Sequence, residues 1–445
     1  MRFINWEQLI SNGNTKELQR KRKDILELLT AAIDAVNPYF VIESRFQDSG
    51  ITIDSEIISL QDFNHIYVAS FGKASIGMMQ AILDQCSITK GIVITNDVEK
   101  TIDHPCVQTF HGGHPLPNEG SIDGTKAIEE MISLVSDSDL LIVLISGGGS
   151  ALLCHPRISL EDMAHTTSLL LKSGASIQEI NTIRKHLSYV KGGQLIKNVK
   201  GRIISYVISD VIDDPLGFIA SGPTFGDETS FIQAQQIFHR YALWDHIPLS
   251  TQLVISKGMK GELPETPSEA DIHKKKVSNI IVANNTLACE TIVDAAKRMG
   301  YNPLLLSTPL QGEAKKVGNE LIEILLQKHK ENNVDLLIAG GETTVTVTGS
   351  GKGGRNQEMV LSSLENLQNH SLVFASCGTD GIDGASTAAG AIADPYTKSK
   401  ADEKQLDITQ FLKENNSNAF FDLLDDLLLT GPTGTNVMDI QILVK

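Results

Sequence analysis

The stretch "SDLLIVLISGGGSALL", Ser138 to Leu153, decides the fold. Leu140 to Ile145 is continuously apolar and partly β-branched, as expected of a strand buried on both faces. Gly147, Gly148 and Gly149 follow, then Ser150, and helical spacing resumes. A strand passing through a bare turn into a helix is the βα unit of a parallel sheet. Glycine admits positive φ there and lets a ligand approach the backbone. The helix start offers free N–H groups and the positive end of its dipole, which suits an anion such as a phosphate. The alternative is a tight turn with no ligand. Three adjacent glycines cost more chain entropy than a plain turn requires.

Outward from this stretch the same rhythm recurs. "HIYVASFG" precedes "KASIGMMQAILDQC", and "GIVITN" and "GRIISYVISD" read as further strands. Residues 257–278, with two prolines and a lysine run, interrupt the pattern and read as a linker or exposed crossover. It restarts with "NIIVANN", "NPLLLS", "DLLIAGGETTVTV" and "SLVFASCGTDG". The fold class is therefore α/β, with two α/β/α three-layer domains and mainly parallel, Rossmann-like sheets. Expected boundaries are 1–256, the linker 257–278, and 279–430. Residues 431–445 read as a final strand that could return to either sheet, the first domain included. "TKELQRKRKDILELLTAAIDAVN" reads as an amphipathic helix through Leu18, Ile25, Leu28, Leu29, Ala32 and Ile33, with Arg20 to Lys23 on a solvated face.

Composition narrows the function. The 445-residue chain carries a formal charge of −16, which argues against nucleic acid and anionic membrane surfaces as partners. Five widely spaced cysteines, without a CxxC pair, fit a reducing cytoplasm and argue against a disulfide framework or structural zinc. There is no signal-peptide pattern at the N-terminus and no apolar run of membrane-spanning length.

Several strand ends carry polar, glycine-rich loops. "VASFGKAS" holds Lys73; "VISDVIDDPLGFIASGPT" holds Asp210, Asp213, Asp214 and Gly222. "IAGGETTVTVTGSGKGGRNQE" holds Glu342, Lys352 and Arg355; "ASCGTDGIDGASTAAGA" holds Asp380 and Asp383; "LTGPTGTN" closes the set. Ligands in open α/β sheets sit beyond the carboxyl ends of strands, so the loops outline a polar cleft for an anion and a metal. A P-loop requires GxxxxGK[ST], which "FGKAS" lacks, and kinase HRD and DFG motifs are absent. "GSGKGG", 349–354, matches GxGxxG in letters, but its strand "TTVTVT" alternates instead of reading as buried, which disfavours a dinucleotide fingerprint. In "HGGH" the glycines between His111 and His114 disfavour a helical metal-ligand pair.

Taken in order, "FGKAS", "GGHPLPNEGS", "ISGGGSALL", "NTIRKHLSYVKGGQL", "SDVIDDPLGFIASGPT", "GGETTVTVTGSGKGGRNQE", "GTDGIDGASTAAGA" and "TGPTGTNVMDI" resemble the glycerate 2-kinase family, whose C-terminal domain is called MOFRL. The resemblance implies two α/β domains with the active site in a cleft, and ATP-dependent phosphorylation of D-glycerate at its 2-hydroxyl. Two positions depart from the family pattern: Asp213 stands where glycine is expected, and Gln194 where arginine is expected.

Phosphoryl transfer asks chiefly for positioning and positive charge. Lys73 and Arg355 are the leading catalytic candidates and could equally hold the glycerate carboxylate; Arg184 and Lys191 are further substrate-binding candidates. Asp210 is expected as Mg²⁺ ligand or base, with Asp214 and Asp380 as further metal candidates. Gly147, Gly148, Gly149, Ser150, Gly222 and Glu342 are expected at ATP. Ser150, Thr343 and Thr433 have helix capping as an alternative role. The rival readings are an NAD(P)H-dependent hydroxypyruvate reductase and a non-enzymatic nucleotide-binding sensor. The expected protein is cytoplasmic and a monomer or homodimer.

Overall fold

A computed structural model describes residues 3–47, 50–53 and 56–445. The chain forms two compact units, Pro38–Val282 and a second made of Met1–Asn37 with Ala283–Lys445. This corrects three expectations. The N-terminal segment belongs with the C-terminal half. The stretch 257–278 is no linker, since it contains the end of the helix Leu249–Met259 and the helix Glu269–His273 of the first unit. The boundary falls at Val282, after most of the strand Val277–Ala283.

The unit Pro38–Val282 is built on a six-stranded sheet in the order Val107–His111, Lys90–Thr95, Ile66–Phe71, Leu140–Ile145, Arg202–Ile208, Val277–Ala283. The first five strands are parallel. Leu140–Ile145 is central and buried at all six positions, which is why its sequence shows no alternation. Parallel order places Phe71, Ile145 and Ile208 at one edge, so the loops after these three neighbouring strands converge. A separate antiparallel sheet contains Phe46–Gln47, Gly50–Ile53 and Glu56–Ser59.

The second unit has the order Pro303–Leu310, Leu336–Gly341, Asp439–Val444, Val373–Gly378, Gly390–Ala393, Leu427–Leu428. Its first pair is parallel; every other pairing is antiparallel. The α/β class holds, but this sheet is mixed where a mainly parallel one was expected. Two strands run against the others: Gly390–Ala393, and the final strand, which enters this sheet, and not the first domain's, between Leu336–Gly341 and Val373–Gly378.

The helix Lys16–Ala35 starts at Thr15, whose side chain accepts from Leu18 N, and buries Ile25, Leu28, Leu29, Ala32 and Ile33. The expected solvated basic face is only half correct. Arg20 and Lys23 are open to water, whereas Lys21 and Arg22 are buried. Arg22 lies three and seven residues before Ile25 and Leu29, on the same helical face. Its guanidinium pairs with Asp394 at 2.6 Å and Asp426 at 2.7 Å, all three side chains being fully buried. Among the described residues no helix is long and apolar enough to cross a membrane, and the five cysteines are free.

Candidate active site

In the parallel-sheet unit the glycine turn is held by its neighbours. Lys73 N donates to Gly147 O at 2.9 Å, and Ala74 N to Ser146 Oγ at 3.0 Å. The three glycines have different causes. A Cβ on Gly147 would lie 2.2 Å from Asp210 Oδ2, so the Asp210 carboxylate rests against this residue. Gly148 has φ +79°, and a Cβ there would lie 2.9 Å from His114 Cδ2 and 3.5 Å from Lys73 Cγ. On Gly149 it would meet Ala220 Cβ at 2.8 Å. The turn thus gathers Lys73, His114 and Asp210.

The helix after the turn, Gly149–Leu152, is four residues long, far shorter than the resumed spacing implied. Its dipole is correspondingly small, because the macrodipole grows from aligned peptides. Positive charge comes instead from side chains. Lys191 Nζ donates to Ser150 O at 2.7 Å and Leu153 O at 3.1 Å, satisfying carbonyls at the end of this single turn. Burial lowers the Lys191 ammonium to about 8, and also lowers the Arg184 guanidinium. Both line a cavity of about 490 Å³ with Ser150, Gly148 and His114, walled on its apolar side by Leu116, Leu160 and Met163. Among the described residues neither cation forms an ion pair.

Gln194 explains one departure from the family pattern. Its Nε2 donates toward Lys185 O, Ser188 O and Lys191 O, at 3.1, 2.9 and 2.9 Å, and its Oε1 accepts from Arg157 Nη2 at 2.9 Å. A buried neutral amide thereby clamps the loop that carries Lys191. Asp213, the other departure, has φ +63°, and Asp214 has φ +52°. Glycine is expected where the backbone is left-handed; aspartate adopts that conformation more readily than most residues. Downstream, Ser221 Oγ bonds Ser150 Oγ at 3.0 Å and Asn181 Oδ1 at 3.1 Å. Gly222 is buried, with its carbonyl accepting from Gly193 N at 2.8 Å.

The other candidates lie in the mixed-sheet unit. Arg355 opens the helix Arg355–Ser362. Its Nη1 is 3.0 Å from Glu342 Oε1, its Nη2 donates to Asp439 Oδ1 at 3.0 Å, and its Nε donates to Asp439 Oδ2. Asp439 pairs in register with Gly341 and Gly378, so the central final strand delivers it between the two loops. Burial raises its carboxyl, against the opposing pull of Arg355. Asp383 accepts from Asn356 N at 3.1 Å and Gln357 N at 2.9 Å, serving the helix start from a distant loop; burial raises it to about 6. Asp380 Oδ1 accepts from Ile382 N at 3.1 Å within its own turn.

Several expectations change. The capping alternatives do not hold: Ser150 lies inside a helix, Thr433 Oγ1 donates to Thr379 O at 2.6 Å, and Thr343 is buried beyond a strand end. Among the described residues no three His, Cys, Asp or Glu side chains gather as a metal site. Mg²⁺ takes only one or two protein carboxylates beside phosphate and water oxygens, and the Asp210 carboxylate fits as such a donor. In "GSGKGG", a Cβ on Gly353 would lie 2.1 Å from Ser417 Oγ, and one on Gly354 would lie 2.2 Å from Asp383 Oδ1. These glycines permit chain packing rather than a pyrophosphate contact. The sequence reading weighs His114 only as a metal ligand and does not point to Asp439, although both stand inside the quoted motifs "GGHPLPNEGS" and "TGPTGTNVMDI".

Known proteins resemble this chain in sequence and fold. Residues 24–256 match a family model described as a domain of unknown function (DUF4147), and residues 335–439 match the MOFRL family. A glycerate 2-kinase of Pyrococcus horikoshii is 40% identical over 94% of this chain and 96% of its own length. A D-glycerate 2-kinase of Thermotoga maritima is 35% identical over 90% of this chain and 95% of its own. A crystal structure of a Thermotoga maritima glycerate kinase superposes with a TM-score of 0.84 at 33% identity, covering 95% of this chain and 98% of that one. Similarity of this extent, spanning both units in sequence and fold, makes the chain a member of the glycerate kinase family.

Proposed function

We propose that this protein transfers the terminal phosphoryl group of ATP to the 2-hydroxyl of D-glycerate, giving 2-phosphoglycerate and ADP in the cytoplasm. One observation carries the reading: Arg184 and Lys191 line one cavity beside Gly148 without an ion-pair partner among the described residues. Two desolvated cations held together repel each other, and a bound carboxylate or phosphate removes that cost.

In this reading Arg184 and Lys191 hold the glycerate carboxylate. Lys73, on the turn beside Gly148, stabilises the transferring group, where one charge contact contributes roughly 3 kcal/mol. Gly147 to Ser150 receive the phosphates, with Gly222 shaping the loop behind them. Arg355, oriented by Asp439 and Glu342, acts on the phosphoryl group or the carboxylate. Asp210, with Asp214 beyond it, would hold Mg²⁺, which when bound neutralises phosphate charge.

A coupled ADP assay with glycerate, followed by product identification, tests this. Glycerate-dependent ADP formation yielding 2-phosphoglycerate is expected. Formation of 3-phosphoglycerate, or NADH oxidation with hydroxypyruvate in its place, overturns it.

A further inference from the structure

We propose that His114 touches the bound hydroxy acid and is the base that takes the proton from its reacting hydroxyl. The proposal rests on the glycerate kinase reading and deepens it.

The geometry is local to one unit. The imidazole packs over Gly148, with Cδ2 2.9 Å and Nε2 3.3 Å from the position of a Cβ there. The Lys73 stem meets the same position at 3.5 Å, so the imidazole and the lysine converge on one glycine of the turn. His114 also lines the cavity that contains Arg184 and Lys191. A 2-hydroxyl is borne on the carbon next to the carboxyl carbon. Holding the carboxylate in this cavity therefore keeps the hydroxyl in it too.

The other titratable groups facing the cavity are less suited. Lys191 Nζ is committed to Ser150 O and Leu153 O. Burial pushes the Cys154 thiol up. Arg184 stays protonated. Glu161, on the helix Leu160–Ser173, is exposed to water. Asp210 lies over the adjacent Gly147 and is assigned to the metal side. His114 remains, and partial withdrawal from water together with the Lys73 charge holds it below the ordinary histidine value. It is therefore neutral at neutral pH, as a base must be.

The step balances. The hydroxyl O–H bond breaks and its proton passes to His114 Nε2. The freed oxygen pair forms the bond to the terminal phosphorus of ATP. The bond from that phosphorus to the bridging oxygen breaks, and its pair leaves on ADP.

His114→Gln retains hydrogen bonding but is not a base. It should lower kcat at least about 100-fold, within the range of general base catalysis, while KM for ATP stays within about twofold. The acid limb of the wild-type kcat/KM profile should disappear, and excess Mg²⁺ should not restore the rate. In His114→Ala, added imidazole should recover part of the turnover, which a merely structural role would not allow. Wild-type kcat in His114→Gln, or absence of imidazole rescue, overturns the assignment while leaving the kinase reading intact. A wild-type enzyme that does not phosphorylate glycerate overturns both.

Discussion

Two glycine-rich turns, one in each unit, look alike in letters and arise from different physics. In "SGGGS" the glycines make room for titratable side chains: Asp210 lies against Gly147, and His114 and Lys73 meet over Gly148. In "GSGKGG" they make room for the chain itself, where Gly349 and Gly351 pack against Glu414, and Gly353 against Ser417. One turn is bare where titratable side chains converge and the other where loops approach. A glycine pattern alone does not distinguish these cases, because both require only that no Cβ be present.

The charges beside the two turns give the sharpest contrast. Lys73→Ala and Arg355→Ala should each lower turnover at least about 100-fold, roughly 3 kcal/mol of transition-state stabilisation. Arg355→Ala strands the buried Asp439 carboxylate, and breaking a buried pair costs about 3–5 kcal/mol, so its Tm should fall clearly. Steady-state rates and calorimetry decide this; an unchanged Tm in Arg355→Ala would mean that Asp439 does not depend on the pair, and near wild-type turnover in either variant would remove that residue from catalysis.

The glycines come next. Gly148→Val should raise KM for ATP in a folded protein, since a side chain there blocks approach to the backbone of the turn. Gly354→Val should leave KM of the folded fraction unchanged and lower stability by about 1–3 kcal/mol, the usual cost of overpacking. A Gly354→Val protein with wild-type stability and altered ATP binding would mean that both turns meet ligand.

The smallest effect is a proton. Lys191 is lowered from 10.5 to about 8 by burial, so part of its charge is lost as pH rises through that value. An anion bound beside it favours the ammonium and raises the pKa again. Glycerate binding near pH 8.5 should therefore take up a fraction of a proton, and affinity should weaken as pH rises. Without ligand the sign reverses: between about 8 and 10.5 the unfolded chain holds more protons, so folding stability rises with pH. Calorimetry in two buffers of different ionisation enthalpy measures the uptake; none at pH 8.5, with Lys191→Met binding normally, would place the anion elsewhere.

The first sheet was legible because its information is local. Leu140–Ile145, Ile66–Phe71 and Arg202–Ile208 are short apolar runs ending in glycine or polar loops, and parallel order follows from the helices between them. The second sheet was less legible. "NVMDIQILVK" reads as a strand whichever partners it takes, and its insertion between two distant strands depends on contacts across the chain. The helix Lys16–Ala35 shows the same limit. Its periodicity marked the apolar face, but Arg22 on that face is tolerated only because Asp394 and Asp426 supply compensating charge.

By itself the sequence determined the α/β class, the strand-end loops and the charged residues within them, because periodicity, glycine and charge act over a few residues. Tertiary structure decided which of those residues meet. It brought His114 onto Gly148 from a distant loop, and gave Asp439 to Arg355 through the register of the final strand. It also turned the "GSGKGG" glycines toward their own chain. Such pairings depend on the approach of segments far apart in sequence, and that approach is set by burial of the whole core rather than by any one motif.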